Sequence, residues 1–191
     1  WSPVVPATMP AEDVEVVGTF AINSYKLTIE YVYEDGKTAS ETYSEEYEYN
    51  AEYEVTSPVI VGYTANKLVV EGTMGATDVE VTVTYEANDD TAYTVKHWKE
   101  SLSSTGATPV GDKYYTLELT ESKSGTTGKT TTVTANTYTG FSAQTIEQQT
   151  IKADGSTVLK YYYERNKYTL TIEIDKGIES VEGNGKYYYE Q

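Results

Sequence analysis

TMPAEDVEVVGTF runs from Thr8 to Phe20, and TMGATDVEVTVTY runs from Thr73 to Tyr85. Laid side by side without a gap, the two stretches share Thr, Met, Ala, Asp, Val, Glu, Val and Thr, and each ends in an aromatic residue. The interval of 65 residues is too long for a local pattern and suits a small domain written more than once. In the second copy Val79, Val81, Val83 and Tyr85 alternate with Glu80, Thr82 and Thr84, the period of two that belongs to a strand with one buried face.

The other strands fall into place around this one. Tyr25-Lys-Leu-Thr-Ile-Glu returns as Tyr168-Thr-Leu-Thr-Ile-Glu, with Tyr93-Thr-Val-Lys-His-Trp between them, so opening strands recur after 68 and then 75 residues. Each opener follows a closing strand: Asp13 to Phe20, Asp78 to Tyr85, and Ser156 to Tyr163. Gly62-Tyr63 stands as far before Tyr85 as Gly140-Phe141 stands before Tyr163. The chain therefore divides into 1–23, the last strand portion of a preceding repeat; 25–91, a complete β module; 93–166, a second related module; and 168–191, the first strands of a following repeat. Glu34-Asp35-Gly36-Lys37 marks a hairpin. Tyr47, Tyr49, Ala51, Tyr53 and Val55 continue the alternation until Ser57-Pro58 breaks it. No strong helical period is present; the places left for a short helical turn are Ala65 to Val70 and Ala143 to Gln149.

Composition agrees with a folded β protein. The chain has 191 residues, 38% hydrophobic content, and 20 Tyr among 24 aromatic residues, a bias towards strands with one wetted face. Thirty acidic against fourteen basic residues give a net charge of −16, which repels nucleic acid and anionic membranes. With no Cys, a disulfide framework and a thiolate metal site are excluded. There is no run of eighteen apolar residues, and the N-terminus does not read as a signal peptide. Because Trp1 and Gln191 both fall inside strand patterns, the sequence reads as a piece of something longer.

At these residues a resemblance enters. YKLTIEYVYEDG (Tyr25–Gly36), TSPVIVGYT (Thr56–Thr64) and DVEVTVTY (Asp78–Tyr85) resemble the MucBP (mucin-binding protein) repeats of bacterial surface proteins. GTTGKTTTVTANTYTGF (Gly125–Phe141) and ADGSTVLKYYYERNKYT (Ala153–Thr169) are similar to a related repeat class of the same giant adhesins. The first twenty residues resemble the tail of a Listeria-Bacteroides type repeat, and Asn166–Tyr189 resembles the head of one. The resemblance implies tandem small β-grasp-like (ubiquitin-like) modules in an elongated array, placed outside the cell on the wall of a Gram-positive bacterium. It implies no catalytic residue and no cofactor.

The candidate chemistry is sparse. His97 is the single histidine and has no orienting carboxylate beside it in the sequence, so it reads as an ordinary strand residue. Asp89-Asp90 and Glu34-Asp35 lack the alternating spacing of a calcium loop and read as solvated turns. GTTGKT (Gly125–Thr130) is two residues too short for a phosphate loop and reads as a turn. A Lys, an Asn and an acid brought together could form an intramolecular isopeptide bond. The triplets Tyr161-Tyr162-Tyr163 and Tyr187-Tyr188-Tyr189 each turn their middle ring away from the other two, which makes Tyr162 and Tyr188, with Trp98, the candidate ligand contacts; cross-strand packing is the competing reading. The expected function is non-enzymatic: a stalk or spacer in a surface adhesin whose partners are neighbouring repeats. The rival readings are a module that binds a host glycan, mucin or protein, and a filament subunit that self-associates by strand addition, the opener of one copy taking the closer of the next.

Overall fold

A computed structural model describes residues 8, 11, 13, 18–102, 114–173, 183 and 185–190. The described residues carry twelve strands and no α-helix, and they fall into two compact units, Trp1–Val59 with Ala65–Glu86, and Ile60–Thr64 with Ala87–Gln191.

In the first unit β1 (Ser24–Tyr33) and β2 (Thr38–Glu48) form the antiparallel hairpin expected at Glu34–Lys37. Strands β3 (Glu52–Thr56) and β5 (Val69–Thr73) pair as a separate ribbon. Strand β4 (Tyr63–Ala65) lies at the edge of the main sheet, and β6 (Val79–Ala87) returns beside β1 in parallel, giving the order β2-β1-β6-β4. The register sets Leu27 opposite Val79, Ile29 opposite Val81 and Tyr31 opposite Val83. The alternation read from the sequence thus buries Leu27, Ile29, Tyr31, Val83 and Tyr85 on one face, each fully buried aliphatic side chain being worth about 1.5–3 kcal/mol.

Two parallel neighbours need a long crossover, usually a helix. Here the β3–β5 ribbon carries it. Neither place left open for a helical turn is helical: Ala65 ends β4 and Val69–Val70 opens β5, while Ala143 ends a strand and Gln144–Gln149 is irregular. Strand pairing satisfies the backbone of the first place, while in the second Gln144 N donates to Tyr162 O at 2.8 Å and Gln149 N to Thr131 Oγ1 at 3.1 Å. The run from Tyr47 to Val55 also differs from the expectation. It breaks first at Tyr49-Asn50, where Asn50 takes φ 70°, the left-handed conformation that Asn tolerates better than most residues. The amide of Asn50 donates to Met74 O at 2.9 Å and Met74 N donates to Ala51 O at 2.8 Å, so the chain turns from one sheet to the other at that point.

The second unit repeats the order. Strands β7 (Thr91–Glu100) and β8 (Tyr115–Gly125) are antiparallel, β10 (Val158–Arg165) lies parallel to β7, and β9 (Phe141–Ala143) closes the edge, giving β8-β7-β10-β9. Tyr93, Val95, Ile151, Leu159, Tyr161 and Tyr163 form its core. The counterpart of the ribbon is reduced to one bridge between Thr130 and Thr150. Beyond it the Gln148 side chain substitutes for a peptide group: Oε1 accepts from Thr131 Oγ1 at 2.8 Å and from Val133 N at 3.0 Å, and Nε2 donates to Val133 O at 2.8 Å. GTTGKT is a turn, as read, with Gly128 N donating to Ile151 O and Lys129 N to Thr126 O.

After β10, β11 (Lys167–Leu170) and β12 (Gly185–Tyr188) form an antiparallel hairpin. In the closer expected at Asp13–Phe20, residues 14–17 lie outside the described residues, and Gly18–Phe20 are not in a strand, with Phe20 89% exposed. The wealth of Tyr has a structural reason. Buried rings fill the cores, and their hydroxyls reach acceptors at the rim: Tyr85 to Pro58 O at 2.6 Å and Tyr161 to Val133 O at 2.9 Å, which removes the cost of burying a phenol.

Candidate binding face

The parallel pairing of β7 with β10 builds the candidate site. Val95, His97, Leu159, Tyr161 and Tyr163 point into the core; the alternate residues therefore share the opposite face. The register places Trp98 beside Tyr162 and Lys96 beside Lys160. Tyr115, from the start of β8, meets Tyr162 edge to face, with ring centroids 4.9 Å apart, and Lys160 Nζ stands 5.9 Å from the Trp98 ring centroid. Leu117, paired with Trp98 across the β-bulge after His97, is 42% exposed. A sheet face with two aromatic rings side by side and two lysines is notable on a chain of net charge −16.

Two polar details fix this face. Gln144 Nε2 donates to Glu164 Oε1 at 2.7 Å and to Tyr115 Oη at 3.4 Å, and burial, with the Glu164 and Glu100 charges behind it, pushes the Tyr115 phenol up to about 12. Among the described residues the buried Trp98 Nε1 has no hydrogen-bond partner, an arrangement that costs about 1–3 kcal/mol and that a phenylalanine at this position would avoid. Of the three candidate contacts the structure thus brings Trp98 and Tyr162 together. It places Tyr188 elsewhere, on β12, where Lys167 Nζ stands 4.8 Å over its ring. Tyr115, Lys96 and Lys160 were not singled out from the sequence, since their proximity depends on a parallel register that pairs residues 64 positions apart.

On the core side of the same sheet His97 is fully buried. It stacks on Tyr161 and Tyr163 at centroid distances of 5.7 and 5.8 Å. Its Nδ1 lies 2.8 Å from Tyr163 Oη and its Nε2 lies 3.3 Å from Glu121 Oε2. Tyr163 Oη also accepts the Asn136 amide at 2.9 Å, which leaves its own proton free to point to Nδ1; the tautomer that accepts there carries its proton on Nε2, facing Glu121. The orienting carboxylate absent from the neighbouring sequence is thus supplied by β8. Lys123 beside Glu121, and then the His97 ring, hold that carboxyl below its usual range, while burial raises the Tyr163 phenol to about 12. With no solvent reaching the imidazole, this triad ties three strands together and offers a substrate no access.

Two clefts remain. One, of about 510 Å³, lies along the β3–β5 ribbon between Glu52, Glu54 and Glu71, with the Tyr53 ring laid over Gly72. The other, of about 520 Å³, is in the second unit, and its cations are already engaged. Lys99 bonds Glu118 at 3.0 Å and stands 4.2 Å over the Tyr138 ring. Arg165 donates to Glu100 O, Tyr189 O and Glu190 Oε2 at 2.8–3.0 Å. Among the described residues no group of three or more His, Cys, Asp or Glu could hold a metal ion. Asp35 in the first hairpin bonds Lys37, which holds its carboxyl below the usual range.

The fold and face define a tandem β repeat in which an opening and a closing strand pair in parallel at the centre of each sheet. Residues 26–86 match the family model of the MucBP domain. Among solved structures the chain is similar to a MucBP domain from Lactobacillus acidophilus, at 26% identity over 36% of this chain and 94% of that one, with a TM-score of 0.30. It is similar to the MucBP domain of an adhesion protein from Pediococcus pentosaceus, at 27% identity over 35% and 99%, with a TM-score of 0.28. It is also similar to a type 2 repeat of the mucus binding protein MUB from Lactobacillus reuteri, at 22% identity over 37% and 52%, with a TM-score of 0.32. A comparison with curated proteins gave no match.

Proposed function

We propose that the chain is part of the repeat region of a Gram-positive surface adhesin, displayed outside the cell and attached to its wall, and that it acts without enzymatic activity as a stalk that carries a distal binding domain. In this reading 25–91 and 93–166 are complete modules, and partial repeats of the Listeria-Bacteroides type flank them. The observation that carries it is one strand order written twice, β2-β1-β6-β4 and β8-β7-β10-β9, the first copy lying on the MucBP match. Repeats of one supersecondary plan are how chains build length.

One observation favours a second role. The face of Trp98 and Tyr162 keeps aromatic rings side by side with Lys96 and Lys160, and rings of that kind stack on the apolar faces of sugars while cations take their acidic groups. A host glycan, as on mucin, is the ligand this face suits. A glycan array decides between the roles. Binding that disappears in Tyr162→Ala with the fold intact supports a ligand-binding module; no binding by the parent chain on neutral, sialylated or sulfated glycans leaves the stalk as its work.

A further inference from the structure

Three asparagines occupy one place in the repeat. Asn23, Asn88 and Asn166 each follow the last aromatic residue of a closer by three positions, after Phe20, Tyr85 and Tyr163. Each backbone carbonyl accepts the amide just past the second strand of the hairpin that comes next: Tyr49 N to Asn23 O at 2.8 Å, Thr127 N to Asn88 O at 2.9 Å, and Tyr189 N to Asn166 O at 2.9 Å.

The other half of the arrangement occurs twice, both times within the second unit, to which Ile60–Thr64 belongs. Asn88 N donates to Gly62 O at 2.9 Å and Asn166 N to Gly140 O at 2.8 Å. The side chains repeat the match: Asn88 Oδ1 accepts from Thr64 Oγ1 at 2.7 Å, and Asn166 Oδ1 accepts from Ser142 Oγ at 2.6 Å. Gly62 and Gly140 both take φ +78°, where other residues are strained. Both are also closely approached. A Cβ on Gly62 would lie 2.7 Å from Ala153 Cβ and 2.9 Å from Thr127 Oγ1, and one on Gly140 would lie 2.2 Å from the Tyr189 ring.

We propose that the turn Gly–aromatic–Ser/Thr and the asparagine 26 residues after it form a docking seat, and that its occupant is the end of the first hairpin of the repeat that follows. One asparagine serves both sides: its N–H closes on the glycine carbonyl behind it, and its C=O takes the hairpin amide ahead. The glycine lacks a side chain because that space is filled, by Ala153 together with the incoming Thr127 side chain at one seat and by the incoming Tyr189 ring at the other. At the second seat Arg165, two atoms of which grip Glu100 O and Tyr189 O, adds charge-assisted bonds. The two complete seats, both within the second unit, thus share one backbone pattern with a sequence signature, whether or not any module binds a ligand.

Residue-resolved hydrogen exchange on the 191-residue chain tests this at the second seat. Gly140→Ala should accelerate exchange of the Tyr189 amide at least about tenfold, while Val95 and Leu159 in the β7–β10 core stay protected. Gly155→Ala is the control, because Gly155 has φ +74° but its nearest atom to a Cβ is Ala92 O at 3.5 Å. It bears the same backbone strain away from the seat and should leave Tyr189 unchanged. Unaltered exchange at Tyr189 in Gly140→Ala, or equal acceleration in Gly155→Ala, overturns the proposal. Should Gly140→Ala also unprotect Val95, then Ser142→Ala decides, since it keeps every backbone angle and removes only the hydroxyl on Asn166. It should accelerate Tyr189 selectively by about threefold or more, and no change there would equally overturn the seat.

Discussion

Tyr163→Phe removes one oxygen and tests the idea that the Tyr163–His97–Glu121 network, rather than aromatic burial alone, holds the second core. The ring stays, so the stacking on His97 at 5.8 Å and the edge contact with Tyr138 at 4.8 Å survive. Two partners lose theirs: the buried His97 Nδ1, 2.8 Å from the hydroxyl, and the half-buried Asn136 amide, 2.9 Å from it. Each orphaned buried group costs about 1–3 kcal/mol, and the bonds lost had contributed modestly, so the sum comes to roughly 2–4 kcal/mol. In a domain of this size 1 kcal/mol moves the melting temperature by about 4–8 °C, so a fall of at least roughly 10 °C is expected for the second unit. Thermal unfolding followed on assigned amide signals separates the units: Val95 and Leu159 should melt early, Leu27 and Ile29 at the parent temperature. A shift below about 2 °C would refute the reasoning and show that ring burial alone sets stability there.

Alkali and salt give two further checks. Tyr115 and Tyr163 have phenols raised to about 12 from an ordinary 10.0; below pH 10 both folded and unfolded chains keep the protons, and between pH 10 and 12 only the unfolded chain loses them. The stability these groups contribute is therefore complete below pH 10 and falls through that window, so a denaturant midpoint for the second unit that is flat from pH 10 to 12 would contradict the burial argument. A net charge of −16 repels itself, so raising salt from low to physiological strength should raise the melting temperature, and a fall would count against it.

What could be read in advance followed from period. Alternation at Tyr25–Tyr33 and Val79–Tyr85 is a local signal, and it located the strands and their buried faces, because burial on a sheet depends on side-chain parity. What could not be read depended on pairing across distance. The parallel register that sets Trp98 beside Tyr162 joins strands about sixty residues apart, and the Glu121 that faces His97 comes from a third strand. The crossover was hidden for another reason: residues 65–70 carry enough apolar character for a helical turn, yet Leu68 O accepts from Ser57 N at 2.9 Å and Val70 pairs with Val55, a tertiary contact overriding a weak local preference. The junction asparagines were visible as letters, and only the repeated backbone bonds give them a role.

Strand addition between copies has to contend with the composition of the edges. In the first sheet β2 is an edge strand, eleven residues long, and a long unpaired edge is a template for another chain. Its sequence, TASETYSEEYE, places Glu41, Glu45, Glu46 and Glu48 along that edge, so two copies meeting there would bring like charges opposite one another, which is destabilising. The opposite edges are three-residue strands, β4 and β9, too short to template much. Tandem repeats hold equivalent edges at high effective concentration, the condition under which mispairing is hardest to avoid. The acidity of this chain is therefore not only a matter of solubility. Its carboxylates stand along the strand where an unwanted neighbour would add, while the contacts that do join successive elements are backbone bonds at Asn23, Asn88 and Asn166, which the charge leaves untouched.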